Sequence, residues 1–104
     1  MSDDDTPRVI TVSRNAAASR YELYVDGDFA GVLEYSETGK RIIMTHTQVF
    51  DEFHHTDAAE TLASQSMADA TERGLVIVPD SPYLVDYLEH NEVPGAAVEH
   101  PEQY

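Results

Sequence analysis

The segment from Ile42 to Gly74 constrains the fold most, because its pattern predicts a strand, a loop and a long helix in succession. Its first part is apolar and β-branched, which favours a pleated strand ending near Val49. Asp57 is a good N-cap residue, and Glu60 three positions later completes a capping box. The expected buried face of the helix consists of apolar and small residues: Ala59, Leu62, Ala63, Ser66, Met67 and Ala70. Gly74 ends the helix. In many folds such a strand, loop and helix aim backbone N–H groups at a phosphate.

The residues before this segment alternate between apolar and polar side chains, as the strands of an antiparallel meander do. The predicted strands cover 8–13, 20–25, 29–35 and 41–49. Asp26-Gly27 is a strong hairpin signal, because glycine accepts the positive φ of a type I′ turn. Strict alternation in the third strand places Phe29 on the same face as Gly31, Leu33 and Tyr35.

After the long helix, the continuous apolar run 75–78 predicts a strand that is buried on both faces. A strand, a helix and a strand in succession imply a right-handed crossover, with this strand parallel to the one ending near Val49. Pro82, with Ser81 as N-cap, begins a second helix that extends to His90. The sequence therefore predicts an α+β domain with a mixed, mostly antiparallel sheet of about five strands and two helices. We expect this domain over 8–93, between a disordered acidic tail over 1–7 and an acidic C-terminal tail over 94–104.

The charge of the chain is unusual. Twenty acidic residues and six basic residues give a formal net charge of −14, and the acidic residues are spread along the whole sequence. Dispersed carboxylates suit a salt-rich, halophilic cytoplasm, where ions screen their mutual repulsion. The alternative is an acidic decoy for a basic partner, although such a mimic usually concentrates its charge on one face. Under both interpretations nucleic acid is not an expected partner, because phosphates would be repelled.

The remaining composition narrows the class of protein. The chain has no cysteine, which excludes disulfides, thiolate metal ligands and a cysteine nucleophile. No apolar run approaches the ~20 residues that cross a bilayer, and no signal peptide is recognisable, so a membrane is not an expected partner. These features predict a soluble, cytoplasmic protein, either a monomer or a homodimer.

Short motifs occur in a fixed order along the chain. They are Tyr21-Glu22-Leu23 with Asp26-Gly27, then His46-Thr47-Gln48-Val49, then Pro79-Asp80-Ser81-Pro82-Tyr83, and finally Glu89-His90-Asn91-Glu92-Val93. Their order and spacing over about 20–93 resemble the GNAT acetyltransferases, and in detail a small single-domain branch, the minimal acetyltransferase-like proteins. That branch has glutamate at the position of Gln48 and cysteine at the position of Ser81.

The resemblance implies transfer of an acetyl group from acetyl-CoA to an amine, carried by a small molecule or a protein. In the family a glycine-rich loop before the long helix cradles the coenzyme pyrophosphate. The expected cofactor contacts are therefore Val49, His54, His55, Thr56, Asp57, Ala58 and Ala59. The leading glycines and the basic residue of that loop are missing here. The Asp57 carboxylate is expected to cap the same N–H groups and to repel the anion, so coenzyme binding should be weakened, altered or lost.

In GNAT enzymes the amine attacks the thioester directly, and the protein supplies a base and an acid. His46 is the candidate base, because an imidazole titrates near neutral pH. Tyr83 and Tyr87 are the candidate acids, and Ser81 stands where the family has its cysteine. The alternative is that His46 is a structural strand residue and both tyrosines belong to the core.

Two further expectations complete the prediction. His54 and His55 lie among carboxylates, but adjacent histidines point in different directions and seldom chelate one ion, so no metal is predicted. Since a fold does not determine a function, the alternative to an enzyme is a catalytically inactive binding or regulatory module on the same scaffold.

Overall fold

The computed structural model describes residues 9–53 and 57–99. Their strands are β1 (Ile10–Asn15), β2 (Arg20–Val25), β3 (Asp28–Thr38), β4 (Arg41–Val49), β5 (Val76–Pro79) and β6 (Ala97–Val98). The helices are α1 (Ala58–Glu72) and α2 (Pro82–His90), and short 3₁₀ turns cover Ala16–Ala18 and Asp51–Phe53. The tail predicted over 1–7 lies outside the described residues.

The described strands form one mixed sheet in the order β1-β2-β3-β4-β5-β6. The pairs from β1 to β4 are antiparallel, whereas β5 runs parallel to both β4 and β6. The predicted α+β class, the two helices and the parallel crossover are confirmed. At the hairpin between β2 and β3, Asp26 and Gly27 have φ values of 51° and 88°, as a type I′ turn requires.

Both helices pack on one face of the sheet. The strands contribute Tyr21, Leu23, Leu33, Ile42 and Met44 to a core cluster that also contains Leu62 and Met67 of α1 and Leu84 of α2. The predicted buried face of α1 is confirmed except at its first residues, where Ala58 is buried and Ala59 is half-buried. Gly74, with a φ of 76°, follows the end of this helix. Neither described helix has the length and hydrophobicity needed to cross a membrane.

A β-bulge in β3 corrects the predicted alternation. Leu23 lies opposite Gly31 but the next residue, Tyr24, lies opposite Phe29, so Ala30 is the extra residue. The bulge turns Phe29 away from the core, and 39% of its surface is exposed. The prediction that Phe29 shares a face with Gly31 is therefore wrong, because alternation holds only where the pairing has no insertion.

Over the described residues the sheet has six strands, one more than the approximately five predicted. β6 lies within 94–104, where the sequence predicts a tail, and it pairs with β5. The Glu99 backbone N–H donates to the Ile77 carbonyl at 2.8 Å, and the Glu99 carboxylate pairs with Arg41 at 2.8 Å. Both residues of β6 are exposed, so they carry no hydrophobic pattern from which a strand could be predicted.

Candidate functional site

Strand β4 separates from β5 halfway along its length. β5 pairs with Arg41–Met44, and the Asp80 N–H makes a last bond to the Met44 carbonyl at 2.9 Å. At the same point Thr45 forms a second β-bulge, because Glu34 lies opposite His46 and Tyr35 lies opposite Met44. A bulge bends the strand that contains it. Within 9–53 and 57–99, no strand pairs with the outer edge of 45–48, so this part of β4 has a strand neighbour on one side alone.

Helix α1 begins at the end of the sheet where β4 stops. As the crossover between two parallel strands, it runs antiparallel to both, and its N-terminus lies at the carboxyl end of β4. Ala58 is buried and Ala59 is half-buried in its first turn. These two residues and Val49 are predicted cofactor contacts that the structure brings to one end of the sheet. His54, His55 and Thr56 lie outside the described residues.

Asp57 does not cap the helix as the sequence predicts. Its side chain makes no capping hydrogen bond, and its backbone has φ −80° and ψ 18° instead of the extended conformation typical of an N-cap. The Asp57 carbonyl accepts from the Thr61 N–H and the Thr61 hydroxyl, both at 3.0 Å. The Asp57 carboxylate therefore leaves the N–H groups of the first turn to other acceptors.

Charge around this helix end opposes an anion. The carboxylates of Asp51, Glu52, Asp57 and Glu60 all lie on exposed residues near it. A pyrophosphate bound here would gain from the helix N-terminus and lose to these like charges. The acidic side chains therefore reduce the affinity expected for the coenzyme that the sequence resemblance implies.

Ser81 is placed between β4 and α2. Only 3% of its surface is exposed, and its hydroxyl lies 3.2 Å from the Thr47 hydroxyl. Ser81 has the extended backbone of an N-cap, but its side chain makes no capping hydrogen bond, which corrects the predicted cap. It lines an open cavity of about 400 Å³ together with Asp80, Asp86 and Glu89. The serine therefore connects the separated end of β4 to the start of α2.

Tyr83 lies in the first turn of α2, half-buried. Burial raises the pKa of its phenol, and the charge of Glu60 in the first turn of α1 adds to this shift. The phenol is therefore protonated at neutral pH, the state that a proton donor requires. Because Tyr83 is close enough to Glu60 to feel its charge, Tyr83 lies on the helix side of the sheet, near the N-terminus of α1.

His46 lies on the other side of the sheet. It is exposed and faces Glu34 across the β3–β4 pair, whereas the next residue, Thr47, contacts Ser81 on the helix side. Consecutive strand residues point to opposite faces. The structure therefore brings Ser81 and Tyr83 to the helix side and separates His46 from both by the sheet.

The surface around His46 has features that the sequence alone did not reveal. We call it the open face: the side of β2, β3 and β4 opposite the helices. Pairing arranges its residues in three cross-strand rows, which are Arg20, Glu34 and His46; Glu22, Val32 and Gln48; and Tyr24 and Phe29. Val32 is buried but does not belong to the helix-side core, consistent with this assignment.

The open face is a pre-arranged polar and aromatic surface. The Glu22 carboxylate accepts hydrogen bonds from Asn15 at 3.0 Å, from Arg20 at 2.9 Å and from the Tyr24 hydroxyl at 2.9 Å. These bonds, led by that from Asn15, lower the pKa of Glu22. The Phe29 ring lies 5.7 Å from the Tyr24 ring and 5.3 Å from the Phe50 ring, the latter edge-on. Alternation in β2 pointed to this surface, but the two bulges hid which residues of β3 and β4 join it.

Comparison with known proteins agrees with the fold. Residues 20–96, which span both the open strand edge and the two helices, match the family model described as GCN5-related N-acetyltransferase. A search of curated proteins gives no match for the chain.

Proposed function

Because the chain belongs to the GCN5-related N-acetyltransferase family, we propose that it transfers an acetyl group from acetyl-CoA to an amine. The observation that carries this proposal is the separation of β4 from β5 after Met44, at the end of the sheet where α1 begins. An open strand edge beside a helix N-terminus offers backbone groups to an extended ligand with a phosphate. Val49 and the segment 54–59 would hold acetyl-CoA, which supplies the activated acetyl group.

The two candidate proton-transfer groups lie on opposite faces of the sheet at the edge of β4. His46 on the open face would accept the proton of the amine, and Tyr83 on the helix side would donate a proton to the departing sulfur. Ser81, through Thr47, would keep the end of β4 in position between them. A base and an acid on opposite faces allow the amine to approach from one side while the leaving group is protonated from the other.

The second candidate is a binding or regulatory module without catalysis. The carboxylates of Asp57 and Glu60 at the start of α1 favour it, because they repel a pyrophosphate. The two candidates differ in whether acetyl-CoA is bound at all.

Titration with acetyl-CoA in concentrated KCl, followed by two-dimensional amide NMR, tests the proposal. We expect shifts concentrated at Val49 and 57–59. Asp57→Asn should tighten binding about two- to fivefold by removing a repelling charge, whereas Glu72→Gln, at the other end of α1, should not. If acetyl-CoA causes no shifts there, the enzymatic proposal is wrong and the binding module stands.

Acetyl transfer can be followed by the coenzyme thiol that it releases. Since the chain contains no cysteine, a thiol reagent gives no signal from the protein itself. Once a substrate amine is in hand, His46→Ala should lower the rate by roughly a hundredfold or more and leave acetyl-CoA affinity unchanged. A full rate in this variant would show that His46 is not the base.

A further inference from the structure

The open face carries an exposed carboxylate, that of Glu34, next to the candidate base. Arg20, the cross-strand neighbour of Glu34, gives its guanidinium to Glu22 at 2.9 Å and extends over the Phe29 ring at 5.7 Å. Within the described part of the chain, the exposed Glu34 carboxylate makes no ion pair. It lies directly opposite His46. A cationic group bound at Glu34 would therefore lie beside the residue proposed to take its proton.

The aromatic row lies at a fixed distance from that carboxylate. Arg20 pairs with Glu34, and Tyr24 pairs with Phe29. Since Arg20 and Tyr24 are four residues apart on β2, the two cross-strand rows are separated by four residues of strand. Four residues of extended chain span about 13 Å. A simple alkylamine is too short to reach from the Glu34 row to the Phe29 row, whereas four residues of an extended peptide cover the same distance. In an extended peptide, side chains four residues apart also point to the same side.

The shape and charge of the surface favour the same occupant. The open face is the outer surface of a sheet, whereas sites for small molecules are usually concave. A net charge of −14 favours cationic over anionic partners where charges come into contact. Tyr24, Phe29 and Phe50 add an apolar platform on which a side chain of the partner can lie.

We infer that the acceptor is a basic peptide segment that lies extended across the open face, with a lysine ammonium at Glu34 and an apolar or aromatic side chain four residues away on the row of Tyr24 and Phe29. Acetylation of that lysine rests on the proposed function, whereas docking of the peptide does not. In the transfer, the lysine nitrogen forms a bond to the acetyl carbon as the bond to sulfur breaks. The ammonium loses two protons: His46 takes the first, which frees the nitrogen lone pair for attack, and the second passes through solvent to replace the proton that Tyr83 donates to the departing sulfur. The products are the acetylated lysine, coenzyme A thiol and protonated His46.

The test is an amide NMR titration of the protein, without acetyl-CoA, using two end-blocked peptides of identical composition. Lys-Gly-Ser-Gly-Phe has the inferred spacing, and Lys-Gly-Ser-Phe-Gly places the phenylalanine one residue too early. We expect the first to shift the amides of Glu34, His46 and Phe29 and to bind about two- to fivefold more tightly than the second. Equal affinity for both peptides, or shifts confined to the cavity at Ser81, would overturn the inference.

Variants and ligand analogues separate the charge from the rest of the surface. Glu34→Gln should weaken the first peptide about two- to fivefold, whereas Glu72→Gln makes the same charge change on the helix side and should have no effect. Acetylation of the peptide lysine should weaken binding by a similar factor. If butylamine binds as tightly as the peptide, a small-molecule amine is the acceptor and the inference is wrong.

The acetyl-CoA titration distinguishes this inference from the proposed function. Peptide docking without any acetyl-CoA binding would overturn the proposed function and leave the docking surface in place. Acetyl-CoA binding without peptide docking would overturn the inferred docking surface and leave the proposed function in place.

Discussion

The hydroxyl of Tyr21 connects the sheet to helix α1, and its removal gives a sharp test of how the site is held together. Tyr21 is 1% exposed, and its hydroxyl donates to Asp69 Oδ2 at 2.7 Å. The same oxygen lies 3.5 Å from Arg14 Nε and 3.8 Å from Arg73 Nη1. Tyr21→Phe removes this bond and retains the ring. Since α1 carries the predicted cofactor contacts, the stability of this connection bears directly on the site.

The loss in the free energy of unfolding expected for Tyr21→Phe depends on how exposed the acceptor, the Asp69 carboxylate, is. A hydrogen bond to a charged group contributes about 1.5–3 kcal/mol. The Asp69 side chain is 38% exposed and keeps its interactions with two arginines, so it recovers part of the lost bond through water. We therefore expect Tyr21→Phe to lower the free energy of unfolding by about 1.5 kcal/mol at neutral pH.

The pH dependence of this loss is specific to the hydroxyl. Burial, and then the hydrogen bond to Asp69, raise the pKa of Tyr21 above its ordinary value of 10. A group whose pKa is higher in the folded state contributes its full stability below its unfolded pKa and loses it as the pH rises toward the folded pKa. Above pH 10 the difference between wild type and Tyr21→Phe should therefore narrow, by up to about 1.4 kcal/mol per pH unit.

Urea unfolding followed by circular dichroism, in concentrated KCl at neutral pH and at several values above 10, measures both effects. Tyr35→Phe is the matched control, because its ring lies 5.3 Å from that of Tyr21 and, within the described residues, its hydroxyl makes no hydrogen bond. The control should lose less than about 0.5 kcal/mol. Equal losses in both variants, or a Tyr21→Phe difference that stays constant in alkaline solution, would refute the reasoning.

Three further predictions concern packing, charge and the link between β4 and α2. Gly31→Ala would place a Cβ against the Gln48 carbonyl oxygen and force β3 and β4 apart, so it should cost about 1–3 kcal/mol in urea unfolding; an unchanged midpoint would contradict this. The urea midpoint of the wild type should rise from dilute to concentrated KCl as salt screens the charge of −14, and a fall would argue against adaptation to salt. A double-mutant cycle of Ser81→Ala and Thr47→Val should give a coupling of about 0.5–1.5 kcal/mol, whereas a capping role for Ser81 would give none.

Much of the fold could be predicted because its signals are local. The type I′ turn at Asp26-Gly27 depends only on two residues that accept positive φ, and β2 and β4 have the bounds that alternation and composition predict. The parallel crossover follows from the order strand, helix and strand. In each of these cases the interactions that determine the structure are between residues close in sequence.

The corrected details depend on partners distant in sequence or on fine backbone angles. Whether Asp57 caps α1 depends on a ψ of 18°, which residue type alone does not specify. Ser81 meets Thr47, 34 residues earlier in the chain, and so does not cap α2. The strand Ala97–Val98 forms because the edge of β5 is available, and its own two residues carry no pattern. Prediction of these contacts requires the assembled sheet.

The two bulges explain why the open face could not be foreseen and why it faces outward. Ile42 and Met44 point into the core, so simple alternation would direct His46 there as well. The extra residue Thr45 reverses the alternation and exposes His46 beside Glu34, just as Ala30 exposes Phe29 beside Tyr24. Each bulge thus moves one functional candidate from the core to the same outer surface. Thr45 also lies where β4 parts from β5, so one inserted residue both opens the proposed cofactor edge and aims the proposed base at the surface from which a substrate would approach.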